Sequence, residues 1–486
     1  MDHGRPRAAD LRFGIALLLL FLGGGILAAY RLDAQSLWLD ETYTWWFTRL
    51  DWGNLLQAAR IDAVNPPLYY VFVKLLAPSG SEVALRFPSV LAHLSGIAGA
   101  AYLGYLLGGR PGAIAAGVVW AAHPMTLWAA RDARPYALAA ALAVLAVGLF
   151  LRLQHAWSRS FAFPTGLVVA FGLLTHYFFF VLVAALLALA AVDLRRAPVF
   201  FRRWTALALL AMVPLAIWLA WFFSTGSPSL GIGWIRAPLL GDIPLTLWNL
   251  ASGFGGIADP LSTLLGLFLV LIVGIGLAGA ARGLGLRFAL VGLLLPIVGV
   301  WLISQRRPVY IDRYFVVVLP FVVALVALGV DSVARRISRG GTRKATWVLA
   351  AVAASLVVLS AGLTVHTAQK FTKEDWRGLA EFLKSHVAEA DALSLSEPEI
   401  ALPLSYYFDE SFLDGTPSHL LLPACGWTCW AVLRQPYTAT HAFTQTVKEA
   451  GRASPPLLPD GCDLRESWES PSGVAALWLA CDRIFP

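Results

Sequence analysis

Long, unbroken apolar runs set the pattern of this chain. They are roughly 16–25 residues long, recur from Phe13 to His366, and show no alternation of apolar and polar positions. Lipid cannot satisfy backbone polar groups, so such runs must form helices that bond internally. The pattern predicts an α-helical polytopic membrane protein with about eleven transmembrane helices. The predicted spans are 13–30, 85–107, 112–129, 135–151, 161–174, 178–193, 204–223, 261–281, 288–304, 314–332 and 345–366.

Basic residues decide the predicted topology. The apolar stretch 161–193 fits one long helix or two short ones, but Arg152 and Arg159 precede it and Arg195 and Arg196 follow it. Positive residues favour the cytoplasmic side, so the chain must cross twice between these clusters. The N-terminus is then cytoplasmic and the C-terminal region periplasmic or external. The first run also fits a cleaved signal peptide, although the many later spans favour a membrane anchor.

Composition agrees with this class of protein. The chain of 486 residues is 58% hydrophobic and 14% charged, with a mean hydropathy of +0.68. Arginines in the predicted cytoplasmic loops contribute to the net charge of +7, as membrane anchoring requires. Nucleic-acid binding would need a basic soluble face, and the pattern shows none. We expect a multi-pass protein of the bacterial inner membrane, with membrane lipids and no nucleic acid as partners.

The last part of the chain has a different pattern. Residues 1–366 form the predicted membrane domain, and residues 367–486 form a soluble domain on the external side. Four stretches of the second domain have the periodicity of secondary structure, namely helices over 376–387 and 440–450 and strands over 392–395 and 473–480. The mixture predicts a small external α/β domain.

All four cysteines lie in this C-terminal region. An even number confined to one exported region is typical of disulfides. Three pairings are open, and Cys425–Cys429 with Cys462–Cys481 is favoured. A zinc site is the alternative, although the second pair is too widely spaced for a usual knuckle.

Asp40 and Glu41 are the first candidates for chemistry. They lie side by side in the long first external loop, 31–84, whose aromatic stretches predict short interfacial helices. Apolar neighbours, including Trp38 and Trp45, raise the basicity of a carboxylate. We predict that both acids are catalytic, as a general base and its helper. The alternative is an acidic turn that caps a helix.

The second external loop carries a candidate phosphate site. Arg131, Asp132, Arg134 and Tyr136 lie within six residues of one another. The guanidinium fork matches phosphate oxygens, and tyrosine adds a hydroxyl. The alternative is an interfacial Arg–Asp pair that ends a helix.

Further candidates lie on the same predicted face. Tyr310, Arg313 and Tyr314 form a second basic and aromatic group, in which Arg313 is favoured because it lies at the mouth of a span. Arginines that meet lipid headgroups are the alternative. His176 and Tyr177 join two short spans on this face. The first loop adds Asn65, before two prolines that otherwise only interrupt the chain.

A divalent metal is an open question at this stage. Glu41, Glu82, Asp132 and His176 together fit a divalent ion with waters, and Glu41 and His176 are the better ligands. No tight ligand spacing demands a metal, and no cofactor is required. The sequence has no Walker A motif, no Gly-x-Ser-x-Gly elbow and no Asp-x-Asp triplet.

Five motifs together resemble a known superfamily. They are Asp-Glu in the first external loop, Asn-Pro-Pro-Leu-Tyr-Tyr (65–70), Ala-Arg-Asp-Ala-Arg-Pro-Tyr-Ala-Leu (130–138), Thr-His-Tyr-Phe (175–178) and Arg-Tyr-Phe (313–315). Over residues 1–330 the chain resembles the GT-C membrane glycosyltransferases. The nearest group is the bacterial relatives of protein O-mannosyltransferases and of lipid A aminoarabinose transferase, similar to glycosyltransferase family 39.

The resemblance implies a GT-C-like fold and a specific chemistry. A sugar would move from a polyprenyl-phosphate carrier to a lipid, glycan or protein acceptor at the external face. The family's loop acid maps onto Asp40 as the base, and Glu41 matches the second acid of the mannosyltransferase motif. One base and one displacement imply inversion. The alternatives are a polymerase or ligase that uses a lipid-linked oligosaccharide, and a flippase for lipid-linked sugars.

Overall fold

The computed structural model describes the membrane part of the chain and pieces of the C-terminal part. The described residues are 8–224 without 63 and 78, 235–338 without 254–259 and 280–282, short pieces of 354–365, and 373–387, 392–395, 398–412 without 411, 420–422, 428–434, 462–469 and 474–481.

Helices make up nearly all of the described membrane part. They are α1 (Ala8–Ala29), α2 (Leu39–Arg49), α3 (Trp52–Asp62), α4 (Leu68–Leu76), α5 (Glu82–Ala122), α6 (Pro124–Ala130), α7 (Tyr136–His155), α8 (Arg159–Thr175), α9 (Phe179–Val192), α10 (Pro198–Ala211), α11 (Val213–Phe223), α12 (Asp242–Ser252), α13 (Pro260–Gly279), α14 (Leu284–Arg287), α15 (Leu295–Ser304) and α16 (Leu319–Ser338). A π-helical segment, Phe288–Leu294, joins α14 to α15, and a 3-10 segment, Asp312–Val318, leads into α16.

Seven helical stretches among the described residues are long and apolar enough to cross a membrane. The helices α8 and α9 are shorter apolar helices, separated at His176 as the two-crossing topology requires. Each predicted span from 13–30 to 314–332 coincides with a helical stretch. The eleventh, 345–366, lies mostly outside the described residues. The number of spans and the orientation of the termini therefore stay predictions.

The longest helix, α5, is a hairpin of two helices. Its backbone leaves the helical conformation at Gly108 and at Gly109, where φ is 60°. A Cβ on Gly104 would lie 2.2 Å from the carbonyl oxygen of Gly112, so the two halves run back against each other at glycines. The break separates the predicted spans 85–107 and 112–129.

The loop between α1 and α5 holds three short helices, α2 to α4. At the start of α2, the Glu41 carboxylate accepts the Trp38 backbone N–H at 3.3 Å. At its end, the Lys74 ammonium of α4 donates to the Thr48 and Leu50 carbonyls. These contacts satisfy helix ends that otherwise lack partners. They show that the predicted loop is a folded layer of short helices, of which α2 carries Asp40.

The C-terminal part contains two described helices and a sheet. The helices are α17 (Trp376–His386) and α18 (Ala401–Tyr407). The strands are β1 (Ala392–Leu395), β2 (Leu420–Leu422), β3 (Thr428–Arg434), β4 (Cys462–Glu469) and β5 (Val474–Cys481). They form one five-stranded sheet in the order β2-β1-β3-β5-β4, with β1 parallel to β2 and β3 and the remaining pairs antiparallel.

This arrangement agrees with the helix predicted at 376–387 and the strands at 392–395 and 473–480, whereas the predicted helix 440–450 lies outside the described residues. A shared core of Trp376, Leu393 and their neighbours joins helix and sheet.

The strand register bears on the predicted disulfides. Cys462 and Cys481 are directly opposite each other on the antiparallel strands β4 and β5. Opposed Cα atoms in such a ladder are about 4.5–5.5 Å apart, which a disulfide can bridge. Cys425 lies outside the described residues, so its pairing with Cys429 stays a prediction.

The glycine contact within α5 gives a stability prediction. Gly104→Ala should lower the melting temperature of the purified protein by several degrees, because the new methyl group meets a backbone oxygen that cannot rotate away. The control is Gly14→Ala in α1, where a Cβ meets nothing within 4 Å and alanine favours the helix. Equal melting temperatures for Gly104→Ala and wild type would contradict the close packing of the hairpin.

Candidate active site

A salt bridge between Glu41 and Arg86 lies at the centre of the site. The Arg86 guanidinium donates from Nε to Glu41 Oε1 at 2.8 Å and from Nη2 to Oε2 at 2.6 Å. The remaining donors reach the carbonyls of Leu32, Gln35 and Ser36. Both side chains are almost wholly buried. Arg86 thus fastens the start of the first loop to α5.

Two further charges complete a buried charge cluster of Glu41, Arg86, Asp132 and Lys373. The Lys373 ammonium lies 3.1 Å from Glu41 Oε2 and 2.8 Å from Asp132 Oδ1. Asp132 Oδ1 also accepts the Trp38 indole N–H at 2.9 Å. The formal charges of two carboxylates and two cations cancel, while burial raises the pKa of Asp132 against the opposing charge of Lys373.

The cluster gives Glu41 a buried environment that differs from that of Asp40. Its side chain is 0% exposed, and it also accepts the Ala133 backbone N–H at 2.8 Å. Burial alone would raise the pKa of Glu41, but the charges of Arg86 and Lys373 outweigh it and hold the pKa at about 2. An ionised carboxylate with these partners is a poor proton acceptor at neutral pH, and its contacts tie the first loop to α5. The catalytic role of Glu41 stays a prediction.

The predicted metal ligands also have other partners. Asp132 belongs to the buried charge cluster, and Glu82 pairs with Arg377 and accepts the Tyr407 hydroxyl. His176 Nδ1 accepts the Phe178 backbone N–H at 3.1 Å. Within the described part of the chain, no three potential ligands come together to hold an ion.

Asp40 has the opposite environment from its neighbour. Successive residues of a helix point about 100° apart, so the first turn of α2 buries Glu41 and leaves the Asp40 side chain 26% exposed. Arg313 Nη2 lies 3.7 Å from Asp40 Oδ2, and the Arg313 side chain is 8% exposed. The sequence prediction that these two residues share a site agrees with this geometry.

Arg134 is the second arginine beside Asp40. Its Nη1 donates to the Asp40 carbonyl at 3.0 Å and to the Tyr70 hydroxyl at 3.5 Å. Asn65 bonds to the same tyrosine, so the proline-containing segment supports the arginine. Among the described residues, Arg134 Nε has no hydrogen-bond partner. Two buried guanidiniums thus lie at Asp40, Arg313 beside its carboxylate and Arg134 at its backbone carbonyl, and this Nε of Arg134 offers a donor to an anionic ligand.

Aromatic rings line one side of the arginine site, which consists of Arg134, Arg313 and Asp40. The Arg313 guanidinium carbon lies 5.3 Å from the Trp38 ring centre, 5.9 Å from Tyr136 and 5.8 Å from Tyr314. His176 packs edge-on against Tyr314 at 5.0 Å. Burial, together with the charges of Arg134 and Arg313, lowers the pKa of His176 to about 3. The imidazole is therefore neutral at physiological pH.

Three predicted residues have other partners. Arg131 Nη2 donates to the carbonyl of Arg31, just after α1, at 3.2 Å, and the phosphate clamp predicted for Arg131 stays a prediction. The Tyr310 hydroxyl bonds to Thr246 of α12 at 2.7 Å. The Tyr177 hydroxyl accepts the Trp218 indole N–H at 3.1 Å. These tyrosines join helices behind and beside the arginine site.

Sequence reasoning missed Arg86, Lys373 and Asp62. Arg86 has a readable signal, because it interrupts the apolar start of a span. Lys373 has none. Asp62 ends α3, and in the described structure its Oδ2 has no hydrogen-bond partner. Burial raises the pKa of Asp62 to about 6, against the opposing charge of Arg134.

Comparison with known proteins identifies the fold. No protein-family model matches the sequence, and no curated protein matches it. Among solved structures, ArnT from Cupriavidus metallidurans in the apo state is 12% identical, covers 97% of this chain and 98% of its own, and superposes with a TM-score of 0.61. ArnT is lipid A aminoarabinose transferase, a GT-C superfamily member. This chain has the GT-C fold.

Two further structures agree with the GT-C fold. The complex of the same ArnT with undecaprenyl phosphate is 14% identical, with 98% of both chains covered and a TM-score of 0.58. The Archaeoglobus fulgidus oligosaccharyltransferase tethered to an acceptor peptide is 11% identical, with 85% of this chain and 64% of that chain covered and a TM-score of 0.50. The resemblance inferred from the five motifs is thus confirmed for the fold.

The raised pKa of Asp62 predicts a pH dependence of stability. The ordinary pKa is 3.8 and the folded value about 6, so the folded protein binds this proton more tightly than the unfolded chain. Unfolding then releases a proton between these values, and stability falls as pH rises through them. Asp62→Asn removes the free-energy cost of ionising this buried carboxyl group. It should raise the melting temperature by a few degrees at pH 7.5 and by less at pH 4.5.

Asp51 provides a control of opposite sign. It caps α3 by accepting the Asn54 backbone N–H at 2.9 Å, and this bond lowers its pKa. Asp51→Asn should lower the melting temperature at pH 7.5. A stabilisation by Asp62→Asn that is equal at both pH values would show that Asp62 does not titrate as proposed.

Proposed function

We propose that the protein is an inverting glycosyltransferase. It would move a sugar from a polyprenyl-phosphate carrier to an acceptor hydroxyl, on the face of the membrane that bears Asp40. The observation that carries this proposal is the partly exposed Asp40, with the buried guanidinium of Arg313 beside its carboxylate and that of Arg134 at its backbone carbonyl. The GT-C fold adds support, because ArnT with this fold binds undecaprenyl phosphate.

In this proposal the arginine site binds the donor phosphate. Arg134 and Arg313 carry two positive charges, and two carboxyl groups lie near them, the partly exposed Asp40 beside Arg313 and the buried Asp62 in the field of Arg134. A phosphodiester matches the planar fork of arginine. When the sugar leaves, the phosphate gains charge, and the two guanidiniums stabilise the leaving group.

Asp40 acts as the general base. It accepts the proton of the acceptor hydroxyl while the acceptor oxygen attacks the anomeric carbon of the sugar. The bond between that carbon and the phosphate oxygen breaks, and its electrons stay on the phosphate. One displacement inverts the anomeric carbon, and the salt bridge of Glu41 with Arg86 supports Asp40 as the single base of this helix turn.

The acceptor is the less defined substrate. A lipid, a glycan or a protein hydroxyl fits the chemistry. Transfer of a lipid-linked oligosaccharide is the second candidate, because the oligosaccharyltransferase with an acceptor peptide shares the fold. A flippase is disfavoured, since Asp40 lies in a loop between spans and transporters place such charges near the midplane. We place the enzyme in the bacterial inner membrane, with this face outside.

Asp40→Asn tests the base directly. It should lower kcat by about 10²–10⁴-fold, because asparagine cannot accept the proton, while undecaprenyl phosphate still binds. The measurement is turnover by purified protein with polyprenyl-phosphate-linked sugars. Asp33→Asn, an exposed aspartate of the same loop, is the matched control and should be fully active. Wild-type turnover by Asp40→Asn would exclude the proposed base.

Arg313→Ala tests the phosphate site. Binding of undecaprenyl phosphate should weaken by about 1.5–3 kcal/mol, the usual loss for a charged hydrogen bond. Arg313→Lys should recover only part, since an ammonium lacks the fork. Arg307→Ala, an exposed arginine of the same loop, should bind like wild type. If Arg313→Ala and wild type bind this lipid equally, the donor is held elsewhere.

A further inference from the structure

The first described residues of the C-terminal part lie against the catalytic loop. The Lys373 backbone N–H donates to Gln35 Oε1 at 3.1 Å, and the Ser36 hydroxyl donates to the Glu374 carbonyl at 2.6 Å. Arg377 donates to the Asp33 carbonyl at 3.0 Å. These bonds join segments that are more than 330 positions apart in sequence. The C-terminal part is therefore docked on the loop that carries Asp40.

Glu374 accepts a hydrogen bond from the first turn of α2, which carries the proposed base Asp40. Its Oε2 accepts the Leu39 backbone N–H at 3.0 Å and the Trp376 indole N–H at 2.7 Å. The side chain is buried, with 1% of the residue exposed. Leu39 is the first residue of α2 and immediately precedes Asp40. A carboxylate at this position caps the helix and favours its dipole.

Lys373 contacts Asp132 in the loop that carries Arg134. Its ammonium bridges Glu41 and Asp132, and Asp132 lies two residues before Arg134. Arg134 in turn donates to the Asp40 carbonyl. A continuous set of contacts thus runs from Lys373 through the 132–134 loop to the residues proposed to bind the donor and take the proton.

We propose that Lys373 and Glu374 are positioning residues of the transferase site, so that the C-terminal domain completes that site instead of merely covering it. The inference rests on the proposed function and assigns the C-terminal domain a role in it. Neither residue touches the reacting atoms. Each acts through another group, Lys373 through Asp132 and Glu41, and Glu374 through the first turn of α2.

The charge balance explains why Lys373 matters. Without it, two buried carboxyl groups face only Arg86, and Asp132, whose pKa burial already raises, must gain a proton or reach water. Removing one member of a buried pair is far more harmful than replacing both with neutral groups. The 132–134 loop should then move to let water reach Asp132, and Arg134 would lose its position beside Asp40.

The test is a double-mutant cycle on Lys373 and Asp132. Lys373→Met should lower kcat about 100-fold, since a shift of about 1 Å in a site costs this much. Asp132→Asn should also lower kcat. The combination Lys373→Met with Asp132→Asn restores the charge balance and keeps an acceptor for the Trp38 indole, so kcat should return to within about tenfold of wild type. Lys384→Met, an exposed lysine of α17, is the control.

Thermal unfolding of each variant is measured beside kcat, at assay temperatures where all are folded. A folded Lys373→Met with wild-type kcat, or a double variant no better than the worse single variant, would overturn the inference. Glu374→Gln gives an independent arm: kcat should fall while the lipid still binds. If wild type itself fails to transfer sugar from polyprenyl-phosphate donors, the proposed function falls, whereas wild-type activity with an unaffected Lys373→Met overturns only the positioning role.

Discussion

The electrically balanced cluster of Glu41, Arg86, Asp132 and Lys373 is the constraint on which the site depends. Each member comes from a different segment of the chain, and each would be strongly destabilising if left alone in the interior. The cluster is balanced only when the first loop, α5, the loop before α7 and the C-terminal part are all in place. Folding of these four segments is thereby coupled through charge as well as through apolar contact.

This constraint separates the roles of two adjacent acids. Glu41 is buried and paired with Arg86 and Lys373, so its contacts orient the first turn of α2. Asp40, one residue earlier, is partly exposed, with Arg313 beside its carboxylate and Arg134 at its backbone carbonyl. The bonds of Glu41 restrict the first turn of α2. Because Asp40 lies in the same turn, its carboxylate is preorganised.

Much of the fold was readable from the sequence, because hydropathy is a local property. The spans, the break near Gly108 and the strand at 392–395 all follow from short windows. The site was readable only in part. Sequence indicates that Asp40, Arg134 and Arg313 belong to polar loops, but it cannot tell which of two adjacent acids is buried. That depends on Arg86, 45 positions away, and on Lys373, more than 300 positions away. Arg131 and Arg134 differ for the same reason, since only the fold decides which one turns towards Asp40.

The docking of the segment 373–377 has a consequence for modular design. Chimeras of membrane enzymes are commonly joined where the last span ends and the soluble domain begins. A junction at residue 366 would here discard the counter-charge of Asp132 and the acceptor for the Leu39 N–H. A junction placed after α18 would retain both, together with the Tyr407 contact to Glu82. The functional boundary of the membrane domain therefore lies inside the region that looks like a separate module.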